Sequence, residues 1–547
     1  LATNEELISY DTLRGRKRIY TDFTEINRDN VIEVLSLAIT EHIQNMEEMK
    51  FLLDYEKGIQ PIRQREKKVR PDIDIKVVDN IANQVTVFKM GYVWGNPILF
   101  VQRGNSDARL SDPEANSLQD IGITMLNEMN EVEFAQTKDQ ELARYVEITG
   151  LGYQMVDVKK PYNDLSYFDL VTLNPLFTFC IYRNTAKQEK AAAVTFRMEK
   201  LTGNRYFTVF TPTHRYEILN WAEFIDPVTG RKQPERWEHG EQSGSVNPFG
   251  AINVVEFNRS PDRTGCFERQ ISDMDALNIE TSDFANSVAQ TTQEIWWGND
   301  FEFPVDERGN PKPPVSGQWL VTSTQSGGNP RVQALHSELD LSGVQKNIEK
   351  KRDLILQKCY VPLQTEPGGG STGTAMSMSS GWQAAEAAAA MEEQVLFKGK
   401  MEIAQLELIA LSLANVPQSN PLMAILPGDI KPQFTRNKTY DLVSKVNGMV
   451  TMIKSGINGR VAMETVDLFP DVAQAWADSK DVVEKYQTAI INRAENTYVS
   501  AYTKREDAEK SQADSSDQAS QSPIIESFKM GQQVQTMSPE HRTGGDV

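Results

Sequence analysis

Cysteine is scarce in this chain: Cys180, Cys266 and Cys359 are the three in 547 residues, far apart, with no CxxC spacing and an odd total. That excludes a disulfide framework and a cysteine-built zinc cluster, and it points to folding in a reducing compartment. Histidine is nearly as rare, and His42, His214, His239 and His336 have no His or Cys neighbour at ligand spacing, so they read as ordinary packed or surface side chains. No stretch approaches the roughly 20 apolar residues that span a bilayer. The longest candidate, residues 403–416, is interrupted by Gln405 and Glu407 and reads as a packed helix. Neither a basic n-region nor an apolar h-region opens the chain, so the expectation is a soluble protein made in the cytoplasm. Positive charge is in deficit as well: 57 Lys and Arg against 76 Asp and Glu leave a net charge of −19. A static grip on polyanions needs a basic footprint, so a histone-like or repressor-like nucleic-acid binder is excluded.

What is present is enough for a multi-part folded protein, with 39% hydrophobic residues. The patterning predicts an α+β, mainly helical chain. Val31, Val34, Leu35, Leu37, Ala38, Ile43 and Met46 recur at helical spacing over residues 30–53. A basic, Pro-punctuated connector follows over residues 57–71, either a partner contact or a solvated arm. Residues 79–91 read as a helix that ends at GYVWGNPILF, a Gly and Pro turn feeding a strand, and residues 112–150 as a helix pair. From 152 to 221 the period shifts towards two, in runs such as YFDLVTL, AAAVTF and RYFTVFTP, and INVVEF is a last buried strand. A long helix then starts near Phe267, with Ile271, Met274, Asn278, Thr281, Ala285, Val288 and Ile295 as its stripe. A Gly- and Pro-rich, β-rich excursion leads into a second helix over 338–360, with Leu341, Val344, Ile348, Ile355 and Cys359 on one face. A third helix is expected over 382–414 and helices again over 440–505. Residues 511–547, rich in Ser, Gln, Asp and Gly, read as a disordered tail.

Between the second and third helices lies TEPGGGSTGTAMSMSSGWQ, which carries a G-x-S-x-G match at Gly369, Ser371 and Gly373. A nucleophile elbow needs an apolar strand before the Ser and a histidine after it. TEPGG is no strand, and the only downstream histidine is His541 in the tail, so no base is available. Gly368 and Gly373 have the outer spacing of a phosphate-binding loop, but Thr374 stands where that loop needs Lys. The acids Asp72 and Asp74, and Asp300, Glu302, Asp306 and Glu307, match no metal-loop spacing. Residues 361–381 hold no Lys or Arg, one acid (Glu366) and five glycines, and they precede a helix rich in Ala. The expected character is mechanical: a bendable, nearly neutral loop on a rigid arm.

Four segments resemble the portal proteins of tailed bacteriophages, the long-tailed siphophage type in particular. KMGYVWGNPI at 89–98 is similar to the family's K-x-G-Y-x-x-G-N-P-I, preceded by the Y-x-K-G of Tyr55 to Gly58. ERQISDMDALNIETSDFANSVAQ at 268–290 is similar to its D-x-x-N followed by S-D-x-A-N. The Gly-rich loop is similar to its P and S-G-x-A segment, with T-G here in place of S-G, and SGINGRVAMETVDLFPDVAQAWAD at 455–478 to its crown turn.

The resemblance implies an N-terminal helical segment (1–56), an α+β wing (57–262), a first stem helix (263–297), a small β-rich clip (298–337) and a second stem helix (338–360). It further implies a tunnel loop (361–381), the long helix behind it (382–416), a linker and wing return (417–436), a helical crown (437–510) and the tail (511–547). It implies a structural protein without catalytic residues, metal or cofactor. Such a protein forms a ring of twelve copies at one capsid vertex, through which the terminase packages double-stranded DNA that is later ejected. The implied partners are other copies, that DNA, the terminase, a head–tail adaptor, and the major capsid and scaffold proteins, with no membrane. The implied localisation is the virion, with the host cytoplasm during assembly. Gly368, Gly369, Gly370, Ser371, Thr372, Gly373, Thr374, Ser377 and Ser379 would face the DNA, and Trp296, Trp297 and Trp319 would serve clip packing or the adaptor surface. An acidic ring would repel the duplex from its walls and so ease its passage. The alternatives are another head–tail connector or scaffold ring and, disfavoured by the lack of a carboxylate cluster or phosphate loop, a nucleic-acid-processing enzyme.

Overall fold

The computed structural model describes residues 15–68, 71–102, 113–159, 166–225, 232–291, 295–299, 307–308, 331–335, 341–363, 381–436, 442–466 and parts of 468–489. The chain divides into two compact units, Leu1–Val443 and Ser444–Val547. The class is α+β.

In the first unit, strand β1 (Ile19–Thr21) precedes helix α1 (Val31–Glu56), helix α2 (Ile81–Val93) and strand β2 (Leu99–Gln102). Helices α3 (Pro113–Val132) and α4 (Ala135–Thr149) follow. Next come β3 (Leu151–Val158), β4 (Phe168–Leu173), β5 (Thr178–Arg183), β6 (Lys190–Met198), β7 (Arg205–Phe210) and β8 (His214–Trp221). The short strands β9 (Phe224–Ile225), β10 (Lys232–Gln233), β11 (Arg236–His239) and β12 (Ser245–Val246) lead to β13 (Val254–Asn258) and helix α5 (Ile271–Thr291). The remainder is β14 (Ile295–Asn299), β15 (Arg331–Leu335), α6 (Leu341–Lys358), α7 (Trp382–Leu413) and β16 (Ile430–Gln433).

The largest sheet has the order β1-β5-β6-β7-β8-β11, with β12 also on β8. Its pairings are antiparallel except β1 with β5. Residues 19–21, inside the segment expected to be helical, therefore belong to a sheet. Helix α1 packs on one face of it, joining Val31, Val34, Leu35 and Ala38 to Phe179, Ile181, Val194, Phe207 and Ile218. Leu37, expected in the buried stripe, is instead 65% exposed. Two residues on from Leu35 is about 200° round a helix, so the pair cannot share one face.

His42 is buried in α1, where it stacks on Phe179 at 4.5 Å and its Nε2–H donates to the Leu176 carbonyl at 3.1 Å. Burial lowers its pKa to about 4. Because the folded value lies below the ordinary one, the unfolded chain binds the extra proton first, and stability is lost as pH falls from 6.5 towards 4. The expected loss is roughly 3 kcal/mol, read from urea midpoints across that window, and His42→Gln should remove this slope.

The second sheet, β13-β3-β4, is covered by α4 and α7. Helix α7 lies close to it because Gly399 has no side chain: a Cβ there would sit 2.5 Å from Phe257 of β13. The chain returns after α7 to pair β16 with β2.

Helix α5 differs from its expectation in two ways. Its helical residues end at Thr291, and Ile295, expected in its stripe, lies in β14, paired with β15. The run IWWGN is β-branched and aromatic, and pairing with RVQAL satisfies its backbone. The buried face holds Ile271, Met274 and Asn278 as expected and then turns, continuing through Ser282 and Asn286, while Thr281 and Ala285 are half-buried and Val288 is exposed.

In the second unit, which opens within helix α8 (Leu442–Lys454), helix α9 (Gly459–Val466) follows a turn at Gly456 with φ +87°. A Cβ on Gly459 would meet Trp476 and Val483, both at 2.6 Å. That close contact explains the glycine at the start of α9.

Candidate functional site

Residues 364–380, and with them Gly368, Gly369, Gly370, Ser371, Thr372, Gly373, Thr374, Ser377 and Ser379, lie outside the described residues. Their two roots are described, and the roots converge. On the first, α6 closes with paired reverse bonds: Tyr360 N–H donates to Gln357 O at 2.9 Å and Val361 N–H to Leu356 O at 2.9 Å. This is a Schellman cap, completed by the buried Leu356 and Val361. Its left-handed position is held by Tyr360 at φ +58°, where a glycine is usual. The bulky residue is explained by its contact, since the Lys89 ammonium of α2 lies 5.7 Å from its ring centroid.

On the second root, Gly381 takes φ +84° and accepts the first bond of α7 from Ala385 N–H. A Cβ on Gly381 would lie 3.9 Å from Pro362 Cα, so the segment leaves and re-enters the fold side by side. Trp382 packs on Phe88 and Tyr92 of α2, with ring centroids 6.1 and 5.8 Å away. Tyr92 Oη donates to Glu386 at 2.5 Å, and Arg436 bridges Glu386 and Glu393.

Both roots are therefore fixed by one turn of α2, and that turn is the start of KMGYVWGNPI. The rest of the motif is also packing: Trp94 is fully buried against Phe434, Asn96 donates to Thr435 O at 2.8 Å, and a Cβ on Gly95 would sit 2.2 Å from Gly91 O. The sequence reading placed this segment at a turn and missed its contact with residues 360 and 382. Such contacts at a separation of nearly 300 residues leave no local signal.

The second motif is a side-chain ladder. An extended segment, residues 75–79, lies along α5 and bonds to it at every second residue. Ile75 N–H donates to Asn286 Oδ1 at 2.8 Å, Val77 N–H to Ser282 Oγ at 3.0 Å and Asp79 N–H to Asn278 Oδ1 at 2.8 Å. Two extended residues advance about 6.6 Å and four helical residues about 6 Å, so the steps stay in phase. Asp275 accepts from Tyr55 Oη at 2.8 Å, and Asp283 accepts from Arg65 at 2.9 and 3.2 Å. Hence the Asp, Asn, Ser, Asp and Asn of the motif fasten residues 55–79 to α5, and Arg65 of the basic connector is an internal contact.

Beneath α7 lies a buried charge cluster that the sequence reading missed. Arg259 Nε donates to Glu147 Oε2 at 3.1 Å, and its Nη2 is 3.6 Å from Glu392 Oε2. Lys89 Nζ, Glu147 Oε1 and Glu392 Oε1 are buried without a hydrogen-bond partner.

Trp296 and Trp297 lie in β14, opposite Ala334 and Gln333 of β15; Trp319 is outside the described residues. All three cysteines are free and buried, and burial pushes the thiols up, Cys180 to about 12 and Cys359 to about 11. That removes nucleophilic character at neutral pH. Among the described residues no helix is long and apolar enough to cross a membrane, and no group of three or more His, Cys, Asp or Glu could hold a metal ion.

Residues 35–494 match the family model for phage portal protein, SPP1 Gp6-like. The chain belongs to the phage portal protein family. None of the curated proteins matches it. The match takes in both motifs and both roots of the 364–380 segment. Portal proteins are a structural family and not an enzyme family, which agrees with the failure of the G-x-S-x-G and phosphate-loop readings.

Proposed function

We propose that this portal protein forms a closed ring at one capsid vertex, through which the terminase drives double-stranded DNA during packaging and through which the DNA later leaves. Head-to-tail association closes into rings when the rotation permits, and twelve copies is the family's usual number. The observation that carries the reading is the family match over residues 35–494, to which the convergent roots of the 364–380 segment add a mechanical argument.

In this reading α5 and α6 form the stem, β14 and β15 the base of the clip, and residues 437–510 the crown. Gly368, Gly369, Gly370 and Gly373 supply the hinges, and Ser371, Thr372, Thr374, Ser377 and Ser379 brush the phosphates. The weak, neutral contact suits a duplex that has to slide, because lysines would hold it through counterion release. Trp296, Trp297 and Trp319 serve the clip, where the head–tail adaptor binds. Major capsid and scaffold proteins surround the ring, and its place is the virion.

Electron microscopy of the purified chain tests the ring: a toothed annulus with a bore of duplex width is expected, and a solid or open assembly would refute it. The loop is tested by replacing Gly369, Gly370 and Gly373 together by Ala. Rings should persist while packaged DNA per head falls; normal packaging would remove the mechanical role.

A further inference from the structure

The cluster beneath α7 has two carboxylates for one guanidinium. Glu147 of α4 is fully buried and Glu392 of α7 is 4% exposed. Arg259, just after β13, engages Oε2 of each, so Oε1 of each is left without a donor. The other groups nearby are the Lys89 ammonium of α2, which makes no hydrogen bond, and the Cys266 thiol beside Glu147 and Arg259. Two buried carboxylate oxygens left as acceptors carry a full desolvation penalty, whereas one proton between them turns one carboxyl into a donor.

We propose that Glu147 and Glu392 share a single proton, and that this acid–carboxylate bond fastens the front of α7 to α4. The position matters because α7 starts at one root of the 364–380 segment, and Lys89 touches Tyr360 at the other. The latch is a property of the folded chain; only its consequence for the loop rests on the portal reading. Burial and the neighbouring Glu147 both push the Glu392 carboxyl well above its ordinary range. Since the folded form then holds a proton that the opened form releases, the latch is firmest at low pH and weakens as pH rises through that raised value.

The test uses the full chain, with Glu392→Gln to put an amide N–H where the proton sits and Glu147→Gln as a second variant. The infrared band of a protonated carboxyl at pH 7 should disappear in Glu392→Gln. Glu407, whose buried carboxyl is raised to about 8, supplies a separate band, which Glu407→Gln identifies. Hydrogen exchange from pH 6 to 9, corrected for intrinsic rates, reads the latch itself. Protection of α7 amides 385–396 relative to those of β6 and β7 should fall in the wild type, by up to about tenfold per pH unit, and stay level in the two latch variants. An unchanged band in Glu392→Gln, or an equal fall in protection in all forms, would overturn the proposal, whether or not the protein packages DNA.

Discussion

Arg259→Leu should destabilise the first unit by about 3–5 kcal/mol, the usual cost of removing one partner from a buried ion pair. The guanidinium donates to Glu147 Oε2 at 3.1 Å, and it lies 3.6 Å from Glu392 as well. An aliphatic side chain fills much of the same volume but leaves the buried Glu147 carboxylate without its guanidinium partner. Urea unfolding of the unassembled chain would show the loss as a lowered midpoint. The cause is separable from lost packing by adding Glu147→Gln: removing the stranded charge should recover more than half of the loss. A double variant as unstable as Arg259→Leu alone would mean that the arginine acts through its shape.

Glu147, Arg259 and Glu392 also show where sequence reading stops. Glu147 and Glu392 sit in segments read as helix and Arg259 just after the last predicted strand, but nothing local marks them as buried, because their partners are more than 100 residues away. The strands were readable because alternation is a local signal, and the runs YFDLVTL, AAAVTF and RYFTVFTP all contribute to β4, β6 and β7. Helix positions were readable for the same reason, whereas helix phase was not. In α1 the apolar count admitted Leu37 to the stripe, and only the sheet on one side decided against it. In α5 the pattern Asn278, Ser282, Asn286 was present at perfect four-residue spacing, but the predicted stripe took in Asn278 and then followed Thr281, Ala285 and Val288, stepping over Ser282 and Asn286. The roots of the candidate site were visible as a chain order, while their convergence on α2 was not.

The row of polar residues in α5 leads to the second large effect. Changing Asn278, Ser282 and Asn286 together to Ala should release residues 72–79 from the helix and lower stability by roughly 3–6 kcal/mol, about 1–3 for each donor left unpaired and less where water reaches it. Among the described residues the backbone of this segment has no strand partner: its bonds at 75, 77 and 79 go to those three side chains, and Asn278 additionally donates to the buried Gln60 at 2.6 Å. Hydrogen exchange gives a sharp readout, because the ladder protects alternate amides. In the wild type Ile75, Val77 and Asp79 should exchange slowly and Lys76 and Val78 quickly. In Asn286→Ala the protection should vanish at Ile75 first and persist at Asp79, whereas in Asn278→Ala the order should reverse. Uniform exchange along 75–79 in the wild type would mean that the side chains do not carry the segment. If the alternation is seen, the Asn, Ser and Asn of this portal motif are explained by a backbone that needs donors and acceptors at intervals of two, laid on a helix that supplies them at intervals of four.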